Sequence, residues 1–275
     1  MWTLSGFSDE ISADLQTQCR TLASLGLTHL EFRSAWDVNV LDLDDDQLDL
    51  VAAMLPRYGL AVSSIGSPIG KVPIDADLDE HLRRFDRALY VAKVLAAPYI
   101  RVFSFLMPAG STARDHRDEV LRRMTALAAR ADGHDVVLLH ENEKGVYGDS
   151  PERCRDLVES VGSPRLRLAW DPANYVQCGF RPYTDGYRQL RPYLEYVQVK
   201  DALLTSGAVV PAGAGDGELR DTLAALHADG FDGFFSLEPH LAEGHDLGGF
   251  SGPELFATAH RALVDILHEQ AIAYR

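Results

Sequence analysis

Short runs rich in β-branched and aromatic residues alternate along the chain with longer stretches whose apolar residues recur at helical spacing. The runs predicted as strands are Trp2–Phe7, Thr28–Phe32, Ala61–Ile65, Pro98–Phe105, Val136–Glu141, Leu166–Asp171, Tyr193–Val199 and Gly233–Glu238. The stretches predicted as helices are Asp9–Leu25, Asp44–Tyr58, Asp77–Leu95, Thr112–Ala131, Pro151–Val161, Thr184–Leu190, Glu218–Ala228 and Pro253–Ala271. The pattern therefore predicts eight successive strand–helix units.

Strands that are separated by crossover helices run parallel, and such crossovers are right-handed. Eight strand–helix units in 275 residues predict an α/β protein with a (β/α)8 TIM barrel. A doubly wound open sheet is the competing fold, but neither of the glycine-rich nucleotide-binding motifs of such sheets follows the first strand. Because no linker rich in Pro, Gly or Ser interrupts the pattern, we expect a single domain over residues 1–275.

Polar residues that can bind metal ions follow the apolar runs of the last four predicted strands. The four segments are HENE at 140–143, WDPAN at 170–174, QVKD at 198–201 and LEPH at 237–240. A carboxylate at the edge of a core is costly unless it is paired or bound to a metal. The C-terminal ends of barrel strands carry the active site. The convergence of Glu141, Asp171 and Glu238 on this rim therefore predicts a shared divalent cation.

Nearly the whole chain resembles the sugar phosphate isomerase/epimerase superfamily, whose members have a xylose-isomerase-like barrel. The resemblance is carried by GFSDE at 6–10, LEFR at 30–33, HEN at 140–142, LAWDPANY at 168–175, YVQVKDA at 196–202, PAGAGDGEL at 211–219 and FFSLEPH at 234–240. It implies that Glu141, Asp171, a residue of the seventh strand and Glu238 hold one divalent metal ion. It also implies that Glu141 and Glu238 are the catalytic acid/base pair.

The metal ligand from the seventh strand departs from the superfamily pattern. Members commonly have His-Val-Lys-Asp there, whereas this chain has Gln198 in the position of the His. Alternation along a strand places Gln198 and Lys200 on one face and Asp201 on the other, and spacing alone does not choose between Gln198 and Asp201. The resemblance favours Gln198, whose side-chain carbonyl can bind a cation. Asn174 also stands where several relatives have a His, which argues against a multi-zinc site.

The proposed ligands Glu141, Asp171, Gln198 and Glu238 offer oxygen atoms only. Hard oxygen ligands suit Mn2+ or Mg2+ better than Zn2+, which favours His and Cys. We therefore predict one divalent ion, with Mn2+ preferred, Mg2+ second, and Co2+ and Zn2+ as alternatives.

Five further residues are candidates for binding the substrate. Arg33 and Arg101 suit hydroxyl or phosphate groups, although structural salt bridges are equally compatible with their positions. Lys200 either orients the substrate or pairs with Glu143. The remaining candidates are Asn174 and His240. The glycines at 213, 215 and 217 match no phosphate-binding loop, so we interpret them as a flexible loop at the active site.

These residues predict a metal-dependent isomerase or epimerase that moves a proton through an enediolate of a keto-sugar or sugar phosphate. A lyase on the same scaffold stays open as an alternative, either a keto-inositol or dehydroshikimate dehydratase or a 3-keto-glycoside deglycosidase. A DNA-repair endonuclease is disfavoured because relatives with that activity have His-rich zinc sites and a basic groove. The change from His to Gln198 keeps open a non-catalytic sugar-binding barrel.

Composition narrows the partners of the protein. Its net charge is −15, which disfavours binding to a phosphate backbone or an anionic membrane surface. Three cysteines without a CxxC pair are typical of a reducing compartment. Neither a signal peptide nor an apolar run of transmembrane length is visible, so we expect a cytoplasmic protein with a small sugar substrate. The resemblance also allows a homo-oligomer.

Overall fold

The computed structural model describes residues 1–245 and 248–275. Its main sheet has eight strands, which we number β1 Thr3–Gly6, β2 His29–Phe32, β3 Ala61–Ile65, β4 Tyr99–Val102, β5 Val137–Glu141, β6 Leu166–Trp170, β7 Leu194–Val199 and β8 Phe234–Leu237. Strands that are consecutive in this numbering pair in parallel from β2 to β8, and β8 pairs in parallel with β1. A parallel bridge between Phe7 and Glu31 joins β1 to β2 and closes the ring. The predicted (β/α)8 barrel is confirmed.

Helices follow the strands and cover the outside of the barrel. We number them α1 Leu15–Ser24, α2 Asp45–Met54, α3 Leu78–Val94, α4 Ala113–Ala131, α5 Pro151–Val161, α6 Pro172–Gln177, α7 Arg188–Leu190, α8 Leu219–Ala228 and α9 Gly252–Glu269. Side chains that accept backbone N–H groups start several of them: Asp44 caps α2 in a capping box with Gln47, and Ser150 caps α5 ahead of Pro151.

The sixth crossover differs most from the predicted pattern. A helix was expected only over Thr184–Leu190, but α6 begins directly after β6 because Asp171 accepts the backbone N–H of Asn174. A π-helical turn at Pro182–Tyr187 and the single turn α7 complete the crossover. Among the described residues, three short antiparallel ribbons also escaped prediction, since strands of two to four residues leave little periodicity to detect. Two of them, Asp201–Ala202 with Val209–Val210 and Ala242–His245 with Gly248–Phe250, lie in loops that follow β7 and β8.

The interior of the barrel changes from apolar to charged along the strands. Leu139, Ala169 and Tyr196 form a small apolar cluster that is separate from the main core between strands and helices. Next comes a polar layer in which the Ser63 hydroxyl lies 2.6 Å from Ser5 Oγ and 2.9 Å from the Tyr196 hydroxyl. Because side chains two residues apart share a face of a strand, Tyr196 is followed inside the barrel by Gln198 and then Lys200. The strands thus direct charge toward their C-terminal rim.

In the ranges 1–245 and 248–275, none of the helices has the length and apolar character needed to cross a membrane.

Candidate metal and substrate site

Three buried carboxylates meet at the C-terminal rim of the barrel. Glu141 is the last residue of β5, Asp171 follows β6 and Glu238 follows β8. One oxygen atom of each lies within 4.8 Å of the others. They lie in and beneath a cavity of about 100 Å3, which is lined by Arg33, Asn39, Gly66, Pro68, Lys71, Arg101, Phe103, Glu141, Glu143, Lys200, Glu238, His240 and Gly248. The structure therefore brings together the acids that strand-end placement singled out.

Asp171 has a double role that follows from its position between a strand and a helix. Its Oδ1 accepts the Asn174 N–H at the start of α6, and its Oδ2 lies 2.6 Å from Lys200 Nζ. Asn142 fixes the backbone of Asp171 from both sides, because its Nδ2 donates to Asp171 O and its Oδ1 accepts from Asp171 N. One oxygen atom is thus held by the helix, while the other lies against Lys200, which lines the cavity.

The Glu141 carboxylate accepts three hydrogen bonds from side chains. Arg101 Nη1 donates to Oε2 at 3.1 Å, and Gln198 Nε2 donates to the same oxygen at 3.0 Å. Asn174 Nδ2 donates to Oε1 at 3.2 Å and also to the backbone oxygen of Asn142 at 2.9 Å. Asn174 was expected to bind substrate, and here it holds Glu141 in place. These contacts fix both oxygens of Glu141 at the floor of the cavity.

Glu238 lies among cations. Its Oε1 accepts from Arg33 Nη1 at 3.0 Å and lies 3.3 Å from His240 Nε2, while its Oε2 accepts from Lys200 Nζ at 3.0 Å. Of the two alternatives for Lys200, the pair with Glu143 is wrong, because Lys200 bridges Asp171 and Glu238 and Glu143 accepts from Lys71 instead. All three acids follow strands of the barrel, so sequence position alone does not show which of them Lys200 contacts, and barrel closure decides it.

Gln198 and Asp201 face opposite sides of the β7 end, as strand alternation predicts. Gln198 is fully buried beside Glu141, and its Oε1 has no hydrogen-bond partner within the described part of the chain. The Asp201 carboxylate instead accepts four backbone N–H groups, from Ala202, Gly213, Gly215 and Gly217, at 2.8–3.0 Å. Geometry therefore ties Asp201 to residues 211–217 and leaves Gln198 bonded to Glu141, which lines the cavity.

Residues 211–217, which we call the glycine loop, are held by this carboxylate. A Cβ atom on Gly215 would lie 2.5 Å from Asp201 Oδ1 and 2.6 Å from the backbone oxygen of Ala202. Glycine is required there because the backbone must approach that closely to donate its N–H. The expectation of a flexible loop is therefore wrong: the loop is fixed to Asp201 by three hydrogen bonds.

Three buried acids near the cavity were missed from the sequence. Asp9 and Glu10 lie in the turn after β1, where Asp9 Oδ2 accepts from Arg33 Nε at 2.7 Å and Glu10 Oε1 lies 3.2 Å from His240 Nε2. Glu31 lies within β2, and its Oε1 accepts from Gln198 Nε2 at 3.4 Å. A signal was present, since Glu31 precedes Arg33 by two residues and so shares its face of the strand. The acids at 9 and 10 follow an apolar strand just as Glu238 does.

Burial raises the pKa of two acids at the rim, Glu10 and Asp171, even though each has a cationic neighbour that opposes the shift. Burial raises the pKa of Glu10 to about 8, against the opposing charge of Arg33. Burial likewise raises the pKa of Asp171 to about 8, although the nearby Lys200 ammonium opposes the shift. These carboxyls would take up protons near neutral pH unless further positive charge came into the cavity.

Glu141 and Glu238 are shifted in opposite directions. Burial raises the pKa of Glu141, and the Glu238 carboxylate adds to that effect, although Arg101 opposes it. Burial also disfavours the charge of Glu238, but Lys200, His240 and Arg33 together hold its pKa well below the usual range. Two carboxyls of one cavity with separated pKa values are the usual arrangement of an acid/base pair.

The residues at the cavity fit a divalent cation. Six buried carboxyl groups face three buried cations; the acids are Asp9, Glu10, Glu31, Glu141, Asp171 and Glu238, and the cations are Arg33, Arg101 and Lys200. Buried charge of one sign is strongly disfavoured without compensation. Gln198 Oε1, which accepts no hydrogen bond from the described residues, adds a neutral oxygen donor beside Glu141. A second group with donor atoms within 4.8 Å consists of Glu10, Glu238 and His240.

Comparison with known proteins agrees with this fold. Residues 19–264 match the family model described as a xylose isomerase-like TIM barrel. This chain belongs to the xylose isomerase-like TIM barrel family. The chain is 36% identical over 137 residues to the 2-epi-5-epi-valiolone 7-phosphate 2-epimerase of Actinoplanes sp. (strain ATCC 31044 / CBS 674.73 / SE50/110). That alignment covers 49% of this chain and 48% of the epimerase, about half the length of each.

Solved structures of the same fold cover almost the whole chain. The IolI protein with a bound zinc atom has a TM-score of 0.80 and 18% identity, over 98% of this chain and 99% of that one. A xylose isomerase-like TIM barrel protein from Mycobacterium smegmatis in complex with magnesium has a TM-score of 0.71 and 20% identity, over 93% of this chain and 88% of that one. At these identities the likeness establishes the family fold.

Proposed function

We propose that this protein is a divalent-metal-dependent isomerase or epimerase of a keto-sugar or sugar phosphate, which acts by proton transfer through an enediolate. The observation that carries the proposal is the meeting of three buried carboxylates at the C-terminal rim of the barrel, beside an amide oxygen that has no hydrogen-bond partner among the described residues. Membership of the family and the partial match to a 2-epi-5-epi-valiolone 7-phosphate 2-epimerase support the same chemistry. We further propose a cytoplasmic location.

Glu141, Asp171, Gln198 and Glu238 would hold the cation. Because all four offer oxygen atoms, we propose Mn2+ first and Mg2+ second, ahead of Co2+ and Zn2+. When bound, the cation supplies a Lewis acid that polarises the substrate carbonyl.

Glu141 and Glu238 are the proposed acid/base pair. One carboxylate removes the proton next to the carbonyl, and the other carboxyl returns a proton. Return to the opposite face gives epimerisation, whereas return to the neighbouring carbon gives isomerisation. Arg101 and Asn174 hold Glu141 in position, and Arg33 holds Glu238.

Substrate hydroxyls are the proposed partners of His240 and Lys200. The His240 side chain is 27% exposed, which makes it the most accessible polar group beside Glu238. Lys200 lies 5% exposed at the cavity wall, where its ammonium group can turn from Asp171 toward a bound hydroxyl. Arg33 and Arg101 also line the cavity and add positive charge toward an enediolate oxygen.

The test follows exchange of substrate hydrogen with solvent deuterium by proton NMR. Ketoses, keto-inositols and their phosphates are incubated with protein that has been reconstituted with Mn2+. We expect hydrogen–deuterium exchange in the substrate together with formation of an epimer or isomer. Glu141→Gln and Glu238→Gln should each slow this exchange by more than about 10³-fold while the circular dichroism spectrum stays unchanged. Glu152→Gln, an exposed change on α5, serves as the control and should leave the rate unchanged.

Near wild-type exchange in either cavity variant would contradict the proposed acid/base pair. An unsaturated product that forms with loss of water or of a glycosyl group would instead assign the protein to the lyases of the same scaffold.

A second candidate is a sugar-binding barrel without a metal ion. It is favoured by Lys200, whose ammonium lies 2.6 Å from Asp171 Oδ2 and 3.0 Å from Glu238 Oε2 and so supplies positive charge between two proposed ligands. Elemental analysis and equilibrium dialysis with Mn2+ separate the two candidates. Sugar binding by protein that takes up no divalent ion would establish the second.

A further inference from the structure

The orientation of the Gln198 amide is fixed by two acids rather than by one. Gln198 Nε2 donates to Glu141 Oε2 at 3.0 Å and to Glu31 Oε1 at 3.4 Å, and all three side chains are buried. An amide NH2 group has two donor hydrogens, so these two acceptors account for both of them. The Oε1 atom, which has no hydrogen-bond partner in residues 1–245 and 248–275, is left as the free end of the amide.

Glu31 lies outside the proposed ligand set and outside the acid/base pair. It is fully buried in β2, and its Oε1 contacts the amide of Gln198. Glu141, the other acceptor, is itself a proposed ligand, so its oxygens are shared with the cation. Glu31 is therefore the acceptor that can hold the amide independently of the metal ion.

We propose that Glu31 is a positioning residue that turns the Gln198 amide so that Oε1, and not Nε2, faces the cation. The inference rests on the proposed metal-dependent function. If the Gln198 amide were rotated by half a turn, its oxygen would lie against Glu31 and Glu141. A carboxylate oxygen can accept a hydrogen bond but has none to donate to the amide oxygen. That rotation would lose both hydrogen bonds and would direct an NH2 group at a cation.

This role explains why a Gln can stand where relatives commonly have a His. A Gln side chain is ambiguous, because its oxygen and its NH2 group occupy nearly the same space. An acid behind the amide removes the ambiguity. Partners that orient a metal ligand in this way typically change metal affinity by about 10–100-fold when they are removed.

The experiment measures Mn2+ affinity of chelator-stripped protein by isothermal titration calorimetry. Glu31→Gln is the first variant, because its new NH2 group can donate to Gln198 Oε1 and so stabilise the rotated amide. We expect Glu31→Gln to weaken Mn2+ binding about 10–100-fold. In a Gln198→Ala background, the same change should weaken binding by less than about 3-fold, because the amide that it orients is gone.

A purely electrostatic effect of Glu31 gives a different result. The lost charge would weaken Mn2+ binding equally in both backgrounds, and this outcome would overturn the inference. Glu31→Asp adds a second comparison, since it keeps the charge but withdraws the carboxylate from the amide. Weaker binding by Glu31→Asp supports positioning, and wild-type binding by it supports the charge alone. Unfolding of the stripped variants in urea reports whether any of them is destabilised.

Failure of the proposed function looks different from failure of this inference. Wild-type protein that binds no Mn2+ overturns both of them. If the wild type binds Mn2+ and Gln198→Ala binds it more weakly, but Glu31→Gln binds like the wild type, only the role of Glu31 is overturned.

Discussion

Two neighbouring regions at the end of β7 satisfy buried carboxylates in opposite ways. Asp201 is surrounded by four backbone N–H groups of the glycine loop and its flanking strand, which are fixed donors without net charge. The acids of the cavity instead lie against the charged ends of Arg33, Arg101 and Lys200. Side-chain cations can move or be replaced, whereas the backbone donors cannot. The difference separates a carboxylate that is tied to the backbone from the carboxylates that we propose to bind the cation and to move a proton.

Removal of the Asp201 carboxylate is expected to have the largest effect on stability. Asp201→Ala leaves four buried or half-buried N–H groups without their acceptor, and we expect the free energy of unfolding to fall by about 3–5 kcal/mol. Urea denaturation of the stripped protein measures this loss. Mn2+ affinity should change by less than about 3-fold in the variant, because Asp201 faces away from the cavity. A lost Mn2+ site in a folded Asp201→Ala protein would show that Asp201, not Gln198, is the ligand.

His81 is a buried side chain that the fold keeps neutral rather than charged. His81 Nε2 accepts the backbone N–H of Gly70, and burial lowers its pKa to about 4. Between pH 6.5 and about 4 the unfolded chain binds a proton at this position and the folded chain does not, so stability must fall as the pH falls through this window. The expected contribution is at most about 3 kcal/mol.

His81→Gln checks this prediction, because Gln can still accept the N–H of Gly70 but does not titrate. Urea denaturation at pH 7 and at pH 4.5 gives the acid-induced loss for each protein. The loss should be smaller in the variant, and an equal loss in both proteins would mean that other groups account for it.

Metal removal gives the smallest expected change in stability. Mn2+ at one hundred times its dissociation constant should raise the free energy of unfolding of the stripped protein by about 2.7 kcal/mol. Asp171→Asn should abolish this gain, because it removes the charge of a proposed ligand. The start of α6 should be kept, since Asn caps a helix as well as Asp does. A gain that persists in Asp171→Asn would place the cation elsewhere, for example at the group formed by Glu10, Glu238 and His240.

Much of the fold could be predicted because its signals are local. Each barrel strand and each long helix shows its own pattern of apolar residues. The polar residues that directly follow the apolar run of a strand lie at the C-terminal rim. Glu141, Asp171 and Glu238 could be named for this reason before any pairing between strands was known. The prediction was poorest in the sixth crossover, where Asp171 starts a helix of six residues that is too short to show a period.

The partners of the site residues could not be predicted in the same way. Arg33 and Glu238 lie 205 positions apart in sequence, and Gln198 and Glu31 lie 167 apart. Nothing local links such residues, so the sequence could not decide between substrate orientation and a pair with Glu143 for Lys200, and it gave no role to Glu31 or Glu10.

By itself the sequence determined the strand–helix period, the order of the units and the residues at the end of each strand. These properties depend on the chain within a few residues of each position. Only the closure of the barrel decided which acids share the cavity, which cation compensates each of them and which face of β7 meets the glycine loop. The physical reason is that hydrogen bonds and charge pairs act over a few ångströms in space, and closure brings strands into contact whatever their separation in sequence.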